Sequence, residues 1–321
     1  MKNPKYNAGV SILVRAHLEA PFLFEALESV GNQTTSVPLE VLINLDRPSP
    51  GLRTQIEYFR IKYPQIKLHD FEFKSVGPAG ALNLLANESE YEFLAILDSD
   101  DRMLPDHIEF QVNFLIDNPQ CAAVGSAISI INQDGDKVGE KGFSTDMESI
   151  RRNKYSQLPL AHPATSIRKS ALESVGGYRD FFFPSEDYDL WLRLLEKYSL
   201  ANSSKILTEY RIHPAQATAA KYFRNYAAAI AAETSSKYKT SGKKETVQSF
   251  KDPQEWARHS SQLPRITWLA IKAALWQNGK KKFDSRNYLE VTKIALLIIL
   301  ISPISGRKEI FAKLRNKKLF F

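Results

Sequence analysis

Cysteine is almost absent from this sequence: Cys121 is the only one in 321 residues, so no internal disulfide can form. A chain without disulfides fits a reducing compartment, and we expect a cytoplasmic protein. Long apolar runs are also missing, because the longest, residues 294–301, is far below the roughly 20 residues that span a bilayer. The apolar run near the N-terminus is shorter than the roughly 7–15 residues of a signal peptide. We therefore expect neither a transmembrane helix nor a signal peptide.

Acidic side chains are scarce in the last third of the chain. Residues 221–321, the basic tail, hold 21 Lys and Arg but only 7 Asp and Glu, a formal charge of +14, whereas the first 220 residues carry −7. Such an asymmetry indicates an anionic partner, for which membrane lipid and nucleic acid are the obvious candidates. Because the basic tail has no recognisable nucleic-acid-binding module, we favour the membrane.

The apolar segment of the basic tail, residues 293–304, supports this preference. It is flanked by Lys280–Lys282 and by basic residues at 307–318, and Trp256, Trp268 and Trp276 precede it. Apolar surface beside basic clusters is typical of helices that bind anionic lipid, which predicts a peripheral protein on the inner face of the membrane. The alternative is a buried helix, packed on the rest of the chain or on a partner subunit in a homo-oligomer.

Short apolar strands alternate with helical patterns over the first 215 residues or so. Strands are predicted at residues 9–14, 39–44, 66–71, 93–97, 122–131 and 165–167, with a hairpin turn at 132–139. Helices are predicted at 20–30, 51–63, from 80, 105–116 and 186–198. This alternation predicts an α/β fold with a mostly parallel central sheet covered by helices on both faces. We place a catalytic domain at 1–220 and a mainly helical region at 221–321.

Polar residues beyond the strands are the first place to look for a site, because parallel sheets bind ligands outside the carboxyl ends of their strands. Three runs stand there: Arg15–His17, Asp46–Arg47 and Asp98–Asp101. The third holds three carboxylates in four residues, and a divalent cation with a diphosphate would relieve their repulsion. A helix cap before Pro105 is the alternative explanation.

Two later motifs are ambiguous on their own. Glu186, Asp187 and Asp189 begin a helical pattern, where the helix dipole favours acids whether or not they are catalytic. His213 follows Tyr210–Ile212, and a single histidine is more often structural than a ligand.

Taken in order, these segments resemble family-2 inverting glycosyltransferases. The resemblance covers roughly residues 8 to 218. It rests on Val10–Val14 with Ala26–Val30 and Asn32–Thr34, on Gly80–Asn83, on Phe93–Asp101, on Gly176–Tyr178 with Glu186–Arg193, and on Tyr210–His213. Each motif is weak alone, but the ordered set is specific.

The resemblance implies a GT-A fold, which is Rossmann-like, and a role for each matching residue. Asp100 would bind Mn²⁺ or Mg²⁺, and His213 would approach the metal and diphosphate from the C-terminal side. Asp98 would hold the ribose or the metal's water shell, and Asp187 would be the general base. Asp46 would bind the nucleotide base, with Gly80 and Asn83 as further donor-binding residues. The expected donor is a UDP-sugar, and the expected acceptor is a glycan or lipid-linked glycan of the cell surface.

Chemistry supports the same roles. Transfer of a sugar to a hydroxyl needs a base for the acceptor proton and positive charge for the leaving nucleoside diphosphate. One carboxylate opposite the leaving group gives inversion, and the metal replaces the second carboxyl group that hydrolases use.

Three positions depart from the family pattern. Arg15-Ala16-His17 stands where Pro, Tyr and Asn are common, Asp46-Arg47-Pro48 where a second acid and Gly-Ser often follow, and Leu82 where Arg is frequent. All three lie in the donor half. A nucleotidyltransferase is disfavoured because Val14–Ala20 lacks the glycines that cradle a triphosphate. A non-catalytic protein on the same scaffold would be expected to lose Asp100 or Asp187, and both are present.

Overall fold

A computed structural model describes residues 7–73, 76–213, 222–270 and 273. The strands are β1 (Asn7–His17), β2 (Leu39–Asp46), β3 (Lys67–Phe71), β4 (Tyr91–Asp98), β5 (Arg102–Met103), β6 (Cys121–Ile131), β7 (Lys137–Lys141), β8 (Ser166–Arg168) and β9 (Ser199–Arg211). The helices are α1 (Leu23–Gly31), α2 (Pro50–Lys62), α3 (Pro78–Glu88), α4 (His107–Asp117), α5 (Met147–Asn153), α6 (Lys169–Ser174), α7 (Glu186–Leu194), α8 (Tyr222–Thr240) and α9 (Pro253–His259). Short 3-10 turns occur at His162–Ala164, Asp180–Phe182 and Val247–Ser249.

The central sheet has the order β3-β2-β1-β4-β8-β6-β9-β5, with β7 paired to β6. The first four strands of this order are parallel, as the βα alternation predicts, and β6 and β9 are also parallel. The pairs β4–β8, β6–β8, β5–β9 and β6–β7 are antiparallel, so the distal half of the sheet is mixed. The α/β prediction and the hairpin at the β6–β7 turn are confirmed.

Helices cover the sheet on both faces because successive side chains of a strand point to opposite faces and here most of them are apolar. On β1, Ile12 and Val14 face the core under α1, α2 and α4, where Leu27 is among the buried residues. Leu13 faces the opposite core under α3, α6 and α7, which contains Trp191. Two separate cores therefore hold the sheet between helical layers.

The helices α8 and α9 pack on the α/β portion of the chain. Phe182 and Leu192 share a buried cluster with Ala227, Ile230 and Trp256 of α8 and α9. Trp256, which the lipid-binding prediction uses, is thus a core residue here, only 5% exposed. No helix among the described residues is long and apolar enough to cross a membrane. The apolar segment 293–304 and its flanking lysines lie outside the described residues.

Candidate active site

The acidic turn at the end of β4 is held by buried hydrogen bonds. Asp101 donates its amide to the Asp98 carbonyl at 3.1 Å, and the Arg211 amide donates to Asp101 Oδ1 at 2.8 Å. Burial, together with the charges of Asp98 and Asp100, raises the pKa of Asp101 well above its ordinary value. The acids do not cap a helix: α4 begins at His107, and its flanking residue is Asp106. The helix-cap explanation of this motif is therefore wrong.

Asp100 and His213 meet although 113 residues separate them. His213 Nε2 lies 3.1 Å from Asp100 Oδ2, and both side chains are partly buried. The Phe22 ring packs against the His213 ring, with 5.3 Å between centroids, and against the Arg211 guanidinium at 4.3 Å. One carboxylate and one imidazole thus converge at the carboxyl edge. This donor set fits Mg²⁺ or Mn²⁺, which take one or two carboxylates and complete their shell with water and substrate phosphate.

A second group of ligand-type side chains lies at the other end of β2. Among the described residues, Glu40, His69 and Glu90 are the one group of three whose ligand atoms all lie within 4.8 Å of one another. Glu40 is the second residue of β2 and Asp46 the last, so about 20 Å of strand separates this group from the carboxyl edge of the sheet. Glu40 Oε1 already accepts from Ser11 Oγ at 2.6 Å and from the Glu90 amide at 2.7 Å. The group is therefore remote from the acids of the β4 edge.

Asp187 lies in the first turn of α7 and is partly buried. Burial, then the neighbouring charge of Glu186, raises the pKa of Asp187 to about 7. One of its oxygens accepts the Tyr188 amide at 2.7 Å. A carboxylate that titrates near neutrality is matched to proton abstraction from a hydroxyl, because the best catalytic pKa lies near the working pH.

The two neighbouring acids of α7 are engaged in ion pairs. Asp189 is almost fully buried and binds the guanidinium groups of both Arg179 and Arg193, each through a 3.0 Å Nε contact. Glu186 binds Arg15 Nη1 at 3.4 Å, and burial raises the pKa of Glu186. Of the three acids that begin α7, Asp187 is the one without an ion pair among the described residues.

Asp46 ends β2 beside the end of β1. Its Oδ2 lies 2.8 Å from His17 Nδ1, and its Oδ1 lies 3.4 Å from Arg47 Nε. Leu18, Ala20 and Arg47 have left-handed backbone conformations, with φ of 54°, 35° and 54°. Such strain in residues other than glycine concentrates at functional sites. The β1–α1 and β2–α2 connections therefore form one surface of constrained backbone conformation around Asp46.

Gly80 and Asn83 contact the segment that leads into α7. The amide of Gly80 donates to Asp180 Oδ1 at 3.1 Å. Asn83 Nδ2 donates to the Tyr178 carbonyl at 2.8 Å, and its Oδ1 accepts the Tyr178 amide at 2.7 Å. These contacts give both residues an architectural function. Their predicted contact with the donor stays a prediction.

Several residues at this edge were not assigned a role by the sequence. Arg15 contacts Asp98 and Glu186, and His17 contacts Asp46. Arg211 donates its amide to Asp101 Oδ1, and its Nη2 lies 2.6 Å from Glu25 Oε2. Arg15 and His17 carried two signals in the sequence, their place just beyond β1 and their departure from the family pattern, but neither signal gave them a role. Asp180 gave no signal, because its partner amides lie about 100 residues away in the sequence.

Comparison with known proteins agrees with this geometry. The family described as "Glycosyl transferase family 2" matches residues 11–176, which is more than half of the chain. The chain belongs to glycosyl transferase family 2. It is therefore a transferase with a GT-A fold, as the ordered motifs predict.

Relatives of known name are distant. The chain is 28% identical over 212 residues to the O-antigen biosynthesis glycosyltransferase WbnJ of Escherichia coli, covering 64% of this chain and 80% of that one. The mannosyltransferase PcManGT of Pyrobaculum calidifontis, solved with GDP-Man and Mn²⁺, superposes with a TM-score of 0.57 at 15% identity, over 99% of this chain and 85% of that one.

S. aureus TarS 1–349, solved with UDP-GlcNAc, gives a TM-score of 0.55 at 14% identity, over 97% of this chain and 88% of that one. A longer TarS structure is covered over only 38% of its length. At these identities the structural likeness concerns the fold alone.

Proposed function

We propose that this family-2 transferase moves a sugar from a nucleotide-diphosphate donor to an acceptor hydroxyl with inversion, and that Asp187 is its general base. The observation that carries the proposal is Asp187 itself, which combines a pKa of about 7 with the absence of an ion pair among the described residues. Its neighbours Glu186 and Asp189 are held by arginines and are poor alternatives.

The reaction is a single displacement. The acceptor oxygen attacks the anomeric carbon while the bond from that carbon to the diphosphate oxygen breaks, and the electron pair leaves on the diphosphate. Asp187 takes the acceptor proton as the new bond forms. Attack from the face opposite the leaving group inverts the anomeric configuration.

The leaving diphosphate needs a positive counter-charge, and Asp100 and His213 are the residues that we propose to hold it. A divalent cation held there would neutralise the developing charge on the diphosphate. Asp98 and Asp46 are the proposed contacts to the ribose and the nucleotide base, and Gly80 and Asn83 are further donor contacts. The neighbour solved with GDP-Man and Mn²⁺ supports a divalent cation by analogy of fold.

We infer that the donor is a UDP-sugar and that the acceptor belongs to a cell-surface glycan. The neighbour bound to UDP-GlcNAc supports the first inference, and the O-antigen enzyme WbnJ supports the second. A lipid-linked acceptor would explain why residues 221–321 carry +14. The division at residue 220 and the docking of the basic tail on the membrane's inner face are part of the same proposal.

The test is a panel of UDP- and GDP-sugars, assayed for slow metal-dependent hydrolysis and for transfer to glycan acceptors. The proposal expects one donor to be consumed in the presence of Mn²⁺ or Mg²⁺, and consumption to stop on addition of chelator. Equal consumption with and without chelator would exclude the metal, whereas binding without any turnover would indicate a non-catalytic protein.

A further inference from the structure

Arg15 occupies the switch point of the sheet. The chain runs from β1 to β2 and β3 on one side, then returns to place β4 on the other side of β1. Arg15 is paired in register with Asp98 across the β1–β4 boundary. Open α/β sheets bind their ligands in the crevice that opens at such a boundary. The side chain of Arg15 therefore begins inside the proposed donor site.

The Arg15 guanidinium bridges two carboxylates that come from distant parts of the chain. Its Nη2 lies 3.5 Å from Asp98 Oδ1, and its Nη1 lies 3.4 Å from Glu186 Oε1. Arg15 is 23% exposed, Asp98 32% and Glu186 7%, so the bridge is shielded from bulk water. Burial opposes the charge of Arg15, but the two carboxylates more than offset this and raise its pKa. Shielded charges that lose their partner are costly, so this bridge constrains both elements.

The first turn of α7 has few other polar links to the sheet. In the part of the chain that the structure describes, Arg15–Glu186 is the one ion pair between this turn and the sheet. Ser185, the residue before α7, makes no side-chain capping bond, and Asp187 accepts the amide of its own neighbour. Arg15 is therefore the charged contact through which the sheet holds the Glu186–Asp187 turn.

We propose that Arg15 is a positioning residue: its guanidinium fastens the first turn of α7, and with it Asp187, to the donor-binding carboxylate Asp98. The proposal rests on the proposed function in assigning the base to Asp187. Arg15 acts through Glu186, and its absence would let the base turn away from the acceptor while the fold persists. A displacement of 1 Å at a catalytic group can cost about 100-fold in rate.

The experiment compares Arg15→Met and Arg15→Lys with Arg179→Met as the matched control. Arg179 also binds an acid of α7, Asp189, but Asp189 keeps its contact with Arg193. Hydrogen exchange of the amides of residues 186–189 is measured in all three purified variants, and kcat and KM are measured with the best donor. Arg15→Met should speed exchange at these amides and lower kcat about 10- to 100-fold, with a smaller change in KM.

Arg15→Lys should restore exchange protection and most of kcat, and Arg179→Met should leave both close to wild type. A double variant, Asp187→Asn with Arg15→Met, should be little slower than Asp187→Asn alone, because Arg15 acts through the base. Unchanged exchange in Arg15→Met and Arg15→Lys, or fully additive losses in the double variant, would overturn the proposal. If Arg15→Met does not fold, Arg15→Gln replaces it. Exchange needs no substrate, so it tests the bridge even if Asp187 proves not to be the base.

Discussion

At the scale of single residues, the burial of Asp187 has opposite effects on catalysis and on folding stability. Partial burial raises its pKa to about 7, from an ordinary value of about 4, and so prepares it to accept a proton near neutrality. The same burial makes its ionised form unfavourable for folding. The folding cost is absent below about pH 4 and complete above about pH 7, because between these values the unfolded chain ionises Asp187 while the folded state still holds its proton.

Replacing this carboxylate should therefore separate activity from stability. Asp187→Asn should lower kcat about 10²- to 10⁴-fold, the usual contribution of a general base, and leave donor affinity unchanged. Its melting temperature should exceed that of the wild type at pH 8, and the gain should shrink at pH 5. Thermal scans and steady-state rates check both effects, with Asp189→Asn as a control that loses stability at both pH values. Near wild-type kcat in Asp187→Asn would remove the base assignment.

The pH profile of the wild type gives an independent check on the same residue. Activity requires the ionised carboxylate, so kcat/KM should fall as the pH drops through about 7. This acidic limb should disappear from the residual activity of Asp187→Asn. A limb that persists unchanged in the variant would belong to another group.

The Asp100–His213 pair makes a second prediction at the residue scale. Asp100→Ala should abolish Mn²⁺-dependent binding of the donor in calorimetry, because the ion loses its proposed carboxylate. His213→Ala should weaken donor binding less, since the diphosphate and Asp100 would still hold the ion. Glu90→Ala is the control, because Glu90 lies in the remote Glu40–His69–Glu90 group. If Glu90→Ala alone lost metal-dependent donor binding, the metal site would have to be assigned to the Glu40–His69–Glu90 group instead.

The sequence singles out these candidate residues more clearly than it singles out their neighbours. Asp98, Asp100 and Asp187 stand out as acids after a buried strand or at a helix start, and His213 stands out only as the last member of the ordered motif set. The bridge from Arg15 to Glu186 could not be predicted, since 171 residues separate the partners and no local pattern reports a tertiary ion pair.

At the scale of elements, the turn at Gly176-Gly177 brings α7 up to α3. Both glycines have left-handed φ, 79° and 71°. A Cβ on Gly177 would lie 2.4 Å from Asn83 Oδ1, whereas a Cβ on Gly176 would meet nothing within 4 Å. Asn83 in turn makes two hydrogen bonds with Tyr178, so the turn fixes the approach of α7 to α3.

This difference makes the two glycines a matched pair for a stability test. Gly176→Ala should cost about 1–2 kcal/mol of unfolding free energy, from the left-handed backbone alone. Gly177→Ala should cost at least about 1 kcal/mol more, because it also breaks the contacts of Asn83. Urea denaturation measures both costs. Equal costs in the two variants would show that Asn83 does not hold the turn.

Element prediction succeeded for strands with continuous apolar runs and failed for β9. The strands β1, β2, β4 and β6 are buried and consist mostly of apolar residues, so their periodicity is readable. The strand β9 carries the polar run Asn202–Lys205 in its middle and buried polar groups at Thr208 and Arg211. Pairing with β6, not hydrophobicity, makes it a strand. Its C-terminal end places His213 beside Asp100.

At the scale of the whole molecule, the charge asymmetry and the helical packing have to be reconciled. The helices α8 and α9 bury Ala227, Ile230 and Trp256 against Phe182 and Leu192, so part of the basic tail belongs to the folded body. Truncation after residue 220 would strip this cover and expose the cluster. Charge substitutions are therefore a cleaner probe of lipid binding than deletion.

The membrane proposal predicts a salt-sensitive association. Full-length protein should sediment with vesicles that contain anionic lipid and remain in the supernatant with neutral ones, and added salt should release it. Gln at Lys280, Lys281 and Lys282 should weaken binding by about 1 kcal/mol per lysine, while Gln at Lys243 and Lys244 serves as the control. Full-length protein that stays in the supernatant with anionic vesicles at low salt would contradict docking and favour a buried segment 293–304.

The most direct test of the whole account is the configuration of the sugar at the moment it leaves the enzyme. Early ¹H NMR spectra of the Mn²⁺-dependent hydrolysis of an α-linked UDP-sugar report the first anomer formed, before mutarotation mixes the two. We expect the β-anomer to appear first and Asp187→Asn to suppress its formation. An α-anomer formed first, or β-anomer formed at the wild-type rate by Asp187→Asn, would contradict a single inverting displacement with Asp187 as the base.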